Sequence, residues 1–234
     1  RMTRAVALAA RLDFTIDLPI ERAISKHRSE LARSAPPRLL EELYKILRSG
    51  YAEKTFKMLA ERRLLEPIAP TLQRATNATL WRSLKLLDTY RKRFVDTPET
   101  LINALLLASL LIPLGHTIKT LTSMTSLGKV KRPKQPLSLG MLPIARRDVE
   151  RLRQILIMQQ KLLDTNISTR ASQALSHRKQ FREAVTWLEI SGEHPELVER
   201  WSKLLKKPGR PKKKYFRKNR KQRQQSTASL SRKR

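Results

Sequence analysis

"APPRLLEELYKILRSG", residues 35–50, is the stretch that sets the fold class. Pro36 and Pro37 suit a first helical turn, where the N–H lost to proline has no partner and its fixed φ is already helical. Glu41 and Glu42 fall in the early turns and Lys45 and Arg48 in the last, so both ends complement the helix dipole. Gly50 then supplies the stop. A helix over 36–49 is predicted from these residues alone.

Working outward, "RMTRAVALAARLDF" (1–14) has no capping residue ahead of its first apolar position, and Met2, Val6, Ala9 and Ala10 already lie at helical spacing. The chain is therefore expected to start inside a helix. "LPIERAISKHRSELARS" (18–34) predicts a second helix with Pro19 in its first turn and Ile20, Ile24 and Leu31 on one face. "YAEKTFKMLAERRLLEPIAP" (51–70) predicts another, with Phe56, Leu59 and Ala60 inward and Pro67 and Pro70 ending it. From Leu72 to Phe94 the spacing of Leu80, Leu84 and Leu87 predicts one longer amphipathic helix.

Thr97, Pro98 and Glu99 then read as cap and first turn of an apolar helix, "LINALLLASLLIPLG" (101–115). This run is shorter than the about 20 residues a membrane span needs and is interrupted by Asn103, so it reads as a core helix. Residues 113–144 gather Pro, Gly, Ser, Thr and Lys without a sustained period and read as a long flexible loop or partly ordered insertion. Helix resumes at 145–164, with Val149, Leu152, Ile155, Leu156 and Leu162 as the stripe and Arg146, Arg147, Arg151 and Arg153 as the wet face. Two shorter helices follow in 175–192 and 194–205. Their apolar faces carry Phe181, Trp187, Leu188, Leu197 and Trp201, read as core anchors and not as base-stacking platforms.

No stretch alternates with period two for more than a few residues, and Leu, Ala, Lys, Arg, Glu and Gln dominate, so the fold class is all-α. The charge points to the partner. Fifty Lys plus Arg against 20 acids give +30, which calls for a polyanion, with nucleic acid ahead of a membrane surface. The absence of cysteine excludes disulfides and thiolate metal sites and fits a reducing, cytoplasmic setting. His27, His116, His177 and His194 are scattered without ligand spacing, so no metal site is expected.

Residues 203–234 carry 15 basic residues and no acid, which predicts a disordered tail. The preceding 202 residues still hold 35 bases against 20 acids. The tail's candidate RNA contacts are Lys206, Lys207, Arg210, Lys212, Lys213, Lys214, Arg217, Lys218, Arg220, Lys221 and Arg223. "KKPGRPKKK" (206–214) resembles an AT-hook of minor-groove binders, but a polycation that grips any phosphate backbone accounts for the same residues. No phosphate loop, HExxH, GxSxG or closely spaced carboxylate pair is present. Asp13, Asp17, Asp88, Asp96, Asp148 and Asp164 read as caps or surface charges. The residues by themselves describe a basic helical binding module.

"RMTRAVALAARLDFTID", "PPRLLEELYKILRSGYAEKTFKMLAERRLLEPIAP" and "LLDTNISTRASQALSHRKQFREAVTWLEI" with "ERW" together resemble the bacterial poly(A) polymerase and CCA-adding enzyme family, the class II nucleotidyltransferases. The polyadenylating branch is favoured by the later segments and the basic tail. The resemblance implies a helical neck over 1–66, a helical body over 67–202 with the flexible loop at about 113–144, and the disordered tail over 203–234. It also implies a catalytic head ahead of the neck, with a Gly-Ser motif and two metal-binding aspartates. None of these is found here, so no catalytic or metal-binding residue is expected in this chain.

In the family's Glu-Asp-x-x-Arg-x-x-Arg motif, the acid and the first Arg read the incoming base. Arg1 matches the first Arg and Arg4 the second, which makes both candidate nucleotide contacts and sets the start of the chain just after the acid. Ala7 and Leu8 depart from the usual Arg-Phe, and Asp13 stands where Gly is usual. The implied function is RNA binding within an enzyme that adds AMP from ATP to RNA 3′ ends, with Mg²⁺ on the absent head and mRNA among its substrates. The expected chain is a monomer without membrane contact and inactive alone. The alternatives are a CCA-adding tRNA nucleotidyltransferase fragment and a non-enzymatic nucleic-acid-binding protein with an AT-hook-like tail.

Overall fold

Helix α1 (Met2–Leu12) turns Thr3, Val6, Ala9 and Ala10 into the core and stops at Asp13, which takes left-handed φ 58° and ψ 35°. Phe14 N–H then reaches back to the Ala9 carbonyl at 3.0 Å. Asp is among the few residues other than Gly that visit this region readily, which is why the turn forms here without glycine. The structure, a computed structural model, describes residues 1–94, 101–125 and 138–205.

Helix α2 (Leu18–His27) runs into a 3-10 turn at Arg28–Arg33, and Ile24 and Leu31 reach the core while Ile20 stays 48% exposed. Helix α3 (Pro36–Arg48) buries Leu39, Leu40, Leu43, Tyr44, Ile46 and Leu47, as its sequence requires. Helix α4 (Ala52–Glu61) ends well before Pro67. Arg63 adopts φ 52°, its N–H bonds Ala60 O at 2.9 Å, and Leu64 N–H bonds Leu59 O at 2.9 Å. This left-handed cap satisfies the last carbonyls and leaves Pro70 free to begin α5 (Pro70–Arg74). The long helix expected over 72–94 is therefore two. Asn77 accepts Leu80 N–H at 2.9 Å and starts α6 (Ala78–Lys92) afresh.

The apolar run becomes α7 (Asn103–Leu111), whose residues from Ala104 to Leu111 are all buried. Each leucine so placed stabilises the fold by about 1.5–3 kcal/mol, so the run is apolar all round because it is enclosed all round. No described helix is long and apolar enough to cross a membrane. The expected cap at Thr97, Pro98 and Glu99 lies outside the described residues.

Part of the 113–144 stretch is built: α8 (Ile118–Thr125) and a short antiparallel pair, β1 (Ser138–Leu139) with β2 (Leu142–Pro143). Gly140, at φ 66°, sits first in the two-residue turn, as a II′ turn demands. The turn lies against the 68–70 backbone, with Met141 N–H donating to Ile68 O at 3.0 Å. These two-residue strands leave the fold class all-α.

Helix α9 (Arg146–Leu162) carries the predicted stripe inward and packs on α7, α8 and α11 (Phe181–Ser191). Helix α10 (Thr169–Ser176) starts at Ser168, whose hydroxyl accepts Ala171 N–H at 3.2 Å. Helix α12 (Pro195–Leu205) closes the described chain. Phe181 and Trp201 meet edge to face with centroids 5.8 Å apart, and Trp201 Nε1–H donates to Leu162 O at 3.0 Å. The five predicted anchors are buried, in agreement with the sequence.

Candidate nucleic-acid interface

Helix α1 lies along α3 and α4, and this seam locates the first two candidate residues. Arg4 donates two parallel hydrogen bonds to Glu42, Nε to Oε2 at 3.0 Å and Nη2 to Oε1 at 2.7 Å, while Lys45 adds a third at 3.2 Å. The Arg4 bonds hold the Glu42 carboxyl below the usual carboxylate range, and the same bonds raise the Arg4 guanidinium. A groove of about 210 Å³ opens beside the pair, lined among others by Ala7, Leu8 and Arg11. Arg1 is exposed at the start of α1 and, among the described residues, its side chain has no ion-pair partner. The two arginines thus share one end of α1 but differ: Arg4 is paired with Glu42, and Arg1 has no ion pair among the described residues.

At the other end of α1, Asp13 pairs with Lys54 of α4, and this bond lowers its pKa. Below lies Asp88 of α6, only 7% exposed. Its carboxylate accepts Ala52 N–H at 2.7 Å and Glu53 N–H at 2.8 Å, so one helix caps another. Burial raises the Asp88 pKa, and the two amide bonds oppose the rise. Of the two sequence readings of Asp88, cap or surface charge, the structure shows a buried cap, and the helix it caps starts 36 residues earlier.

The wet face assigned to α9 is only partly wet. Arg151 bonds Glu183 of α11 at 2.6 Å, and Arg153 bonds Glu150 through Nε at 2.8 Å and Nη2 at 2.6 Å. Each of these arginine side chains is at most 30% exposed. Arg151 reaches across to a neighbouring helix, a pairing that spacing within α9 does not reveal, whereas Arg153 turns back on Glu150 of its own helix, one turn earlier.

Of the tail's basic residues, Lys203 belongs to α12 and pairs with Glu199 at 2.9 Å. Lys206, Lys207, Arg210, Lys212, Lys213, Lys214, Arg217, Lys218, Arg220, Lys221 and Arg223 lie outside the described residues. Tyr51 and Lys85 were not singled out by sequence. Tyr51 is 36% exposed beneath Lys92, whose Nζ is 5.2 Å from the ring centroid. The available signal was a tyrosine directly after a helix-stopping glycine. Among the described residues no three His, Cys, Asp or Glu side chains converge as metal ligands would.

Residues 13–76 match the model of a protein family described as "Probable RNA and SrmB- binding site of polymerase A". Residues 138–234 match a second, described as "Polymerase A arginine-rich C-terminus". The chain is 39% identical over 74 residues to poly(A) polymerase I of Escherichia coli O157:H7, 32% of this chain and 16% of that protein. It is 36% identical over 74 residues to the same-named protein of Salmonella typhi, with the same coverage. For that of Haemophilus influenzae it is 33% over 72 residues, 31% of this chain and 16% of the relative. Each match spans about a sixth of the relative's length. The two family models follow one another in one chain, and their described parts share the core that joins α3 and α4 to α9, α11 and α12; the chain accordingly belongs to the poly(A) polymerase family, of which it carries the C-terminal portion.

Proposed function

We propose that this chain is the RNA-holding portion of a template-independent RNA nucleotidyltransferase that adds AMP from ATP to RNA 3′ ends. The observation that carries the proposal is the succession of an RNA-binding segment at 13–76 and an arginine-rich segment at 138–234. The +30 net charge supports it, because phosphate contacts provide most sequence-independent affinity for RNA. In this reading residues 1–66 serve as neck, 67–202 as body and 203–234 as a phosphate-gripping tail. Arg1 faces the nucleotide, and Arg4, clamped by Glu42, fixes the angle at which α1 presents it. The described residues do not fit a divalent metal, so no step of the transfer is assigned to them through one. Their work is to bind and to orient. The chain works as a monomer in the cytoplasm, on mRNA among other 3′ ends.

The test is a salt titration of the full chain with labelled single-stranded RNA and with A·T-rich duplex DNA. Log K should fall with log salt at about −0.7 per phosphate contact. Replacing Lys207, Arg210, Lys212, Lys213 and Lys214 with glutamine should lessen the slope by roughly 3.5 if all five engage. Replacing only Gly209 and Pro211 should leave RNA binding unchanged, since a phosphate grip counts charges. A preference for A·T-rich duplex that disappears with those two residues would overturn the reading in favour of a groove-binding hook.

A further inference from the structure

Between the C-terminus of α1, the start of α4 and the outer face of α6 lies a groove of about 490 Å³, larger than the one beside Arg4. Arg11, Lys54, Lys85 and Lys92 line it, with Tyr51 on its wall and Asp88 at its base. Its carboxylates are already committed. Asp13 holds Lys54, Glu53 holds Lys57 at 2.7 Å, and Asp88 caps the two amides of α4. Among the described residues Arg11 and Lys85 have no carboxylate partner, and both are exposed. The uncompensated charge of the groove is therefore positive.

Tyr51 is held where it can be used. Gly50, at φ 79°, makes the turn, Ser49 Oγ accepts Tyr51 N–H at 3.1 Å, and the Tyr51 carbonyl accepts Thr55 N–H at 3.0 Å and the Thr55 hydroxyl at 2.7 Å. Asp88 fixes the next two residues from beneath. An aromatic ring on a pinned backbone beside unpaired cations is the arrangement by which proteins hold single strands, bases on the ring and phosphates on the charges. A duplex keeps its bases inside and offers none to such a ring.

We infer that this groove is a single-stranded RNA subsite, in which Tyr51 stacks on one base while Arg11 and Lys85 contact the flanking phosphates. The inference rests on the RNA-binding reading and adds the place in the folded part where the strand lies. The salt response separates its two components: stacking is insensitive to salt and phosphate contact is not.

The full chain, wild type and with Tyr51→Ala, Tyr51→Trp, Lys85→Ala or the remote control Lys161→Ala, would be titrated against a fluorescent single-stranded oligonucleotide carrying 5-iodouridine, at several salt concentrations. Irradiated complexes would be digested and mapped. Tyr51→Ala should weaken binding about 5- to 150-fold at high salt, where the tail's grip has faded, with Tyr51→Trp close to wild type. Lys85→Ala should lessen the salt slope by about 0.7 and Lys161→Ala should not. The cross-linked peptide should contain Tyr51. If the wild type binds but Tyr51→Ala binds equally and Lys85→Ala matches Lys161→Ala, the subsite is refuted while RNA binding stands. If the wild type does not bind the oligonucleotide even at low salt, the RNA-binding reading falls and the subsite falls with it.

Discussion

Replacing Asp88 with alanine tests the junction on which α4 is seated. The substitution strands the Ala52 and Glu53 N–H groups, which now donate to Asp88 at 2.7 and 2.8 Å. A buried unsatisfied donor costs about 1–3 kcal/mol, and loss of a cap typically about 1 kcal/mol. Relief from burying a carboxylate, the cause of its raised pKa, offsets part of this. A net loss of about 2–4 kcal/mol follows, which for a domain of this size lowers the melting temperature by roughly 4–16 °C. Asp88→Asn keeps one acceptor and should lose about 1 kcal/mol.

The pH dependence has a definite sign. A carboxyl whose folded pKa is raised adds stability that is complete below its unfolded pKa and is lost as pH rises through the folded value. Wild type should therefore lose stability less steeply than Asp88→Asn on acidification from neutrality to about pH 4. Denaturant unfolding followed by circular dichroism at a series of pH values measures both effects. An Asp88→Ala protein within about 0.5 kcal/mol of wild type would refute the view that this carboxylate caps α4.

The opposite slope is expected of Glu42: its pKa is lowered by Arg4, so its contribution is present above the usual carboxylate range and lost as pH falls through the depressed value. Glu42→Gln should flatten the acid side of the stability curve. Trp201→Phe should cost about 1–2 kcal/mol by orphaning Leu162 O, read as a lower unfolding midpoint with unchanged helix content. Gly140→Ala would place a Cβ 2.5 Å from Ile68 O and 2.8 Å from Ala69 Cα at φ 66°, so it should melt several degrees lower, and hydrogen exchange should show the loss at residues 68–70 and 139–142. On the proposed reading, in which this portion binds and orients RNA, the purified chain should incorporate no labelled AMP into RNA with ATP and Mg²⁺, and incorporation by the chain alone would overturn that division of labour.

What the sequence disclosed follows the range of the interactions. The course of α3 was legible because prolines, charges and glycine act within a turn or two of their own positions. The stripe of α9 and the burial of Phe181, Trp187 and Trp201 were legible because periodicity alone selects a face. The split at Asn77 was missed although its signal is local: a capping residue was outweighed by the leucine spacing that follows it. The left-handed turn at Arg63 after α4 carried no signal, since arginine is not favoured at positive φ; the turn is closed by the bonds from Arg63 and Leu64 N–H and followed by the fully buried Leu64 and Leu65. The Gly-Met turn of β1 and β2 was visible as a glycine between leucines, but two-residue strands are too short for a period to show.

The candidate site divides along the same line. A tail is defined by its composition, which needs no structure to count. A groove is defined by which charges remain after pairing, and that subtraction needs three dimensions. Arg4, Lys54, Arg151 and Arg153 look like Arg11 and Lys85 in the sequence, yet the first four are committed to Glu42, Asp13, Glu183 and Glu150. Arg4, Lys54 and Arg151 tie elements to one another, Arg153 braces its own helix, and cations so held are poorly placed to follow a strand. Pairing takes equal numbers of both signs and leaves the excess of 35 bases over 20 acids in place, so what three dimensions add is which cations remain. Arg11 and Lys85 are two that remain where α1, α4 and α6 meet, and on the proposed subsite Asp88 would tie stability to RNA binding there: a variant that loosens α4 should also blur the position of Tyr51 and weaken binding.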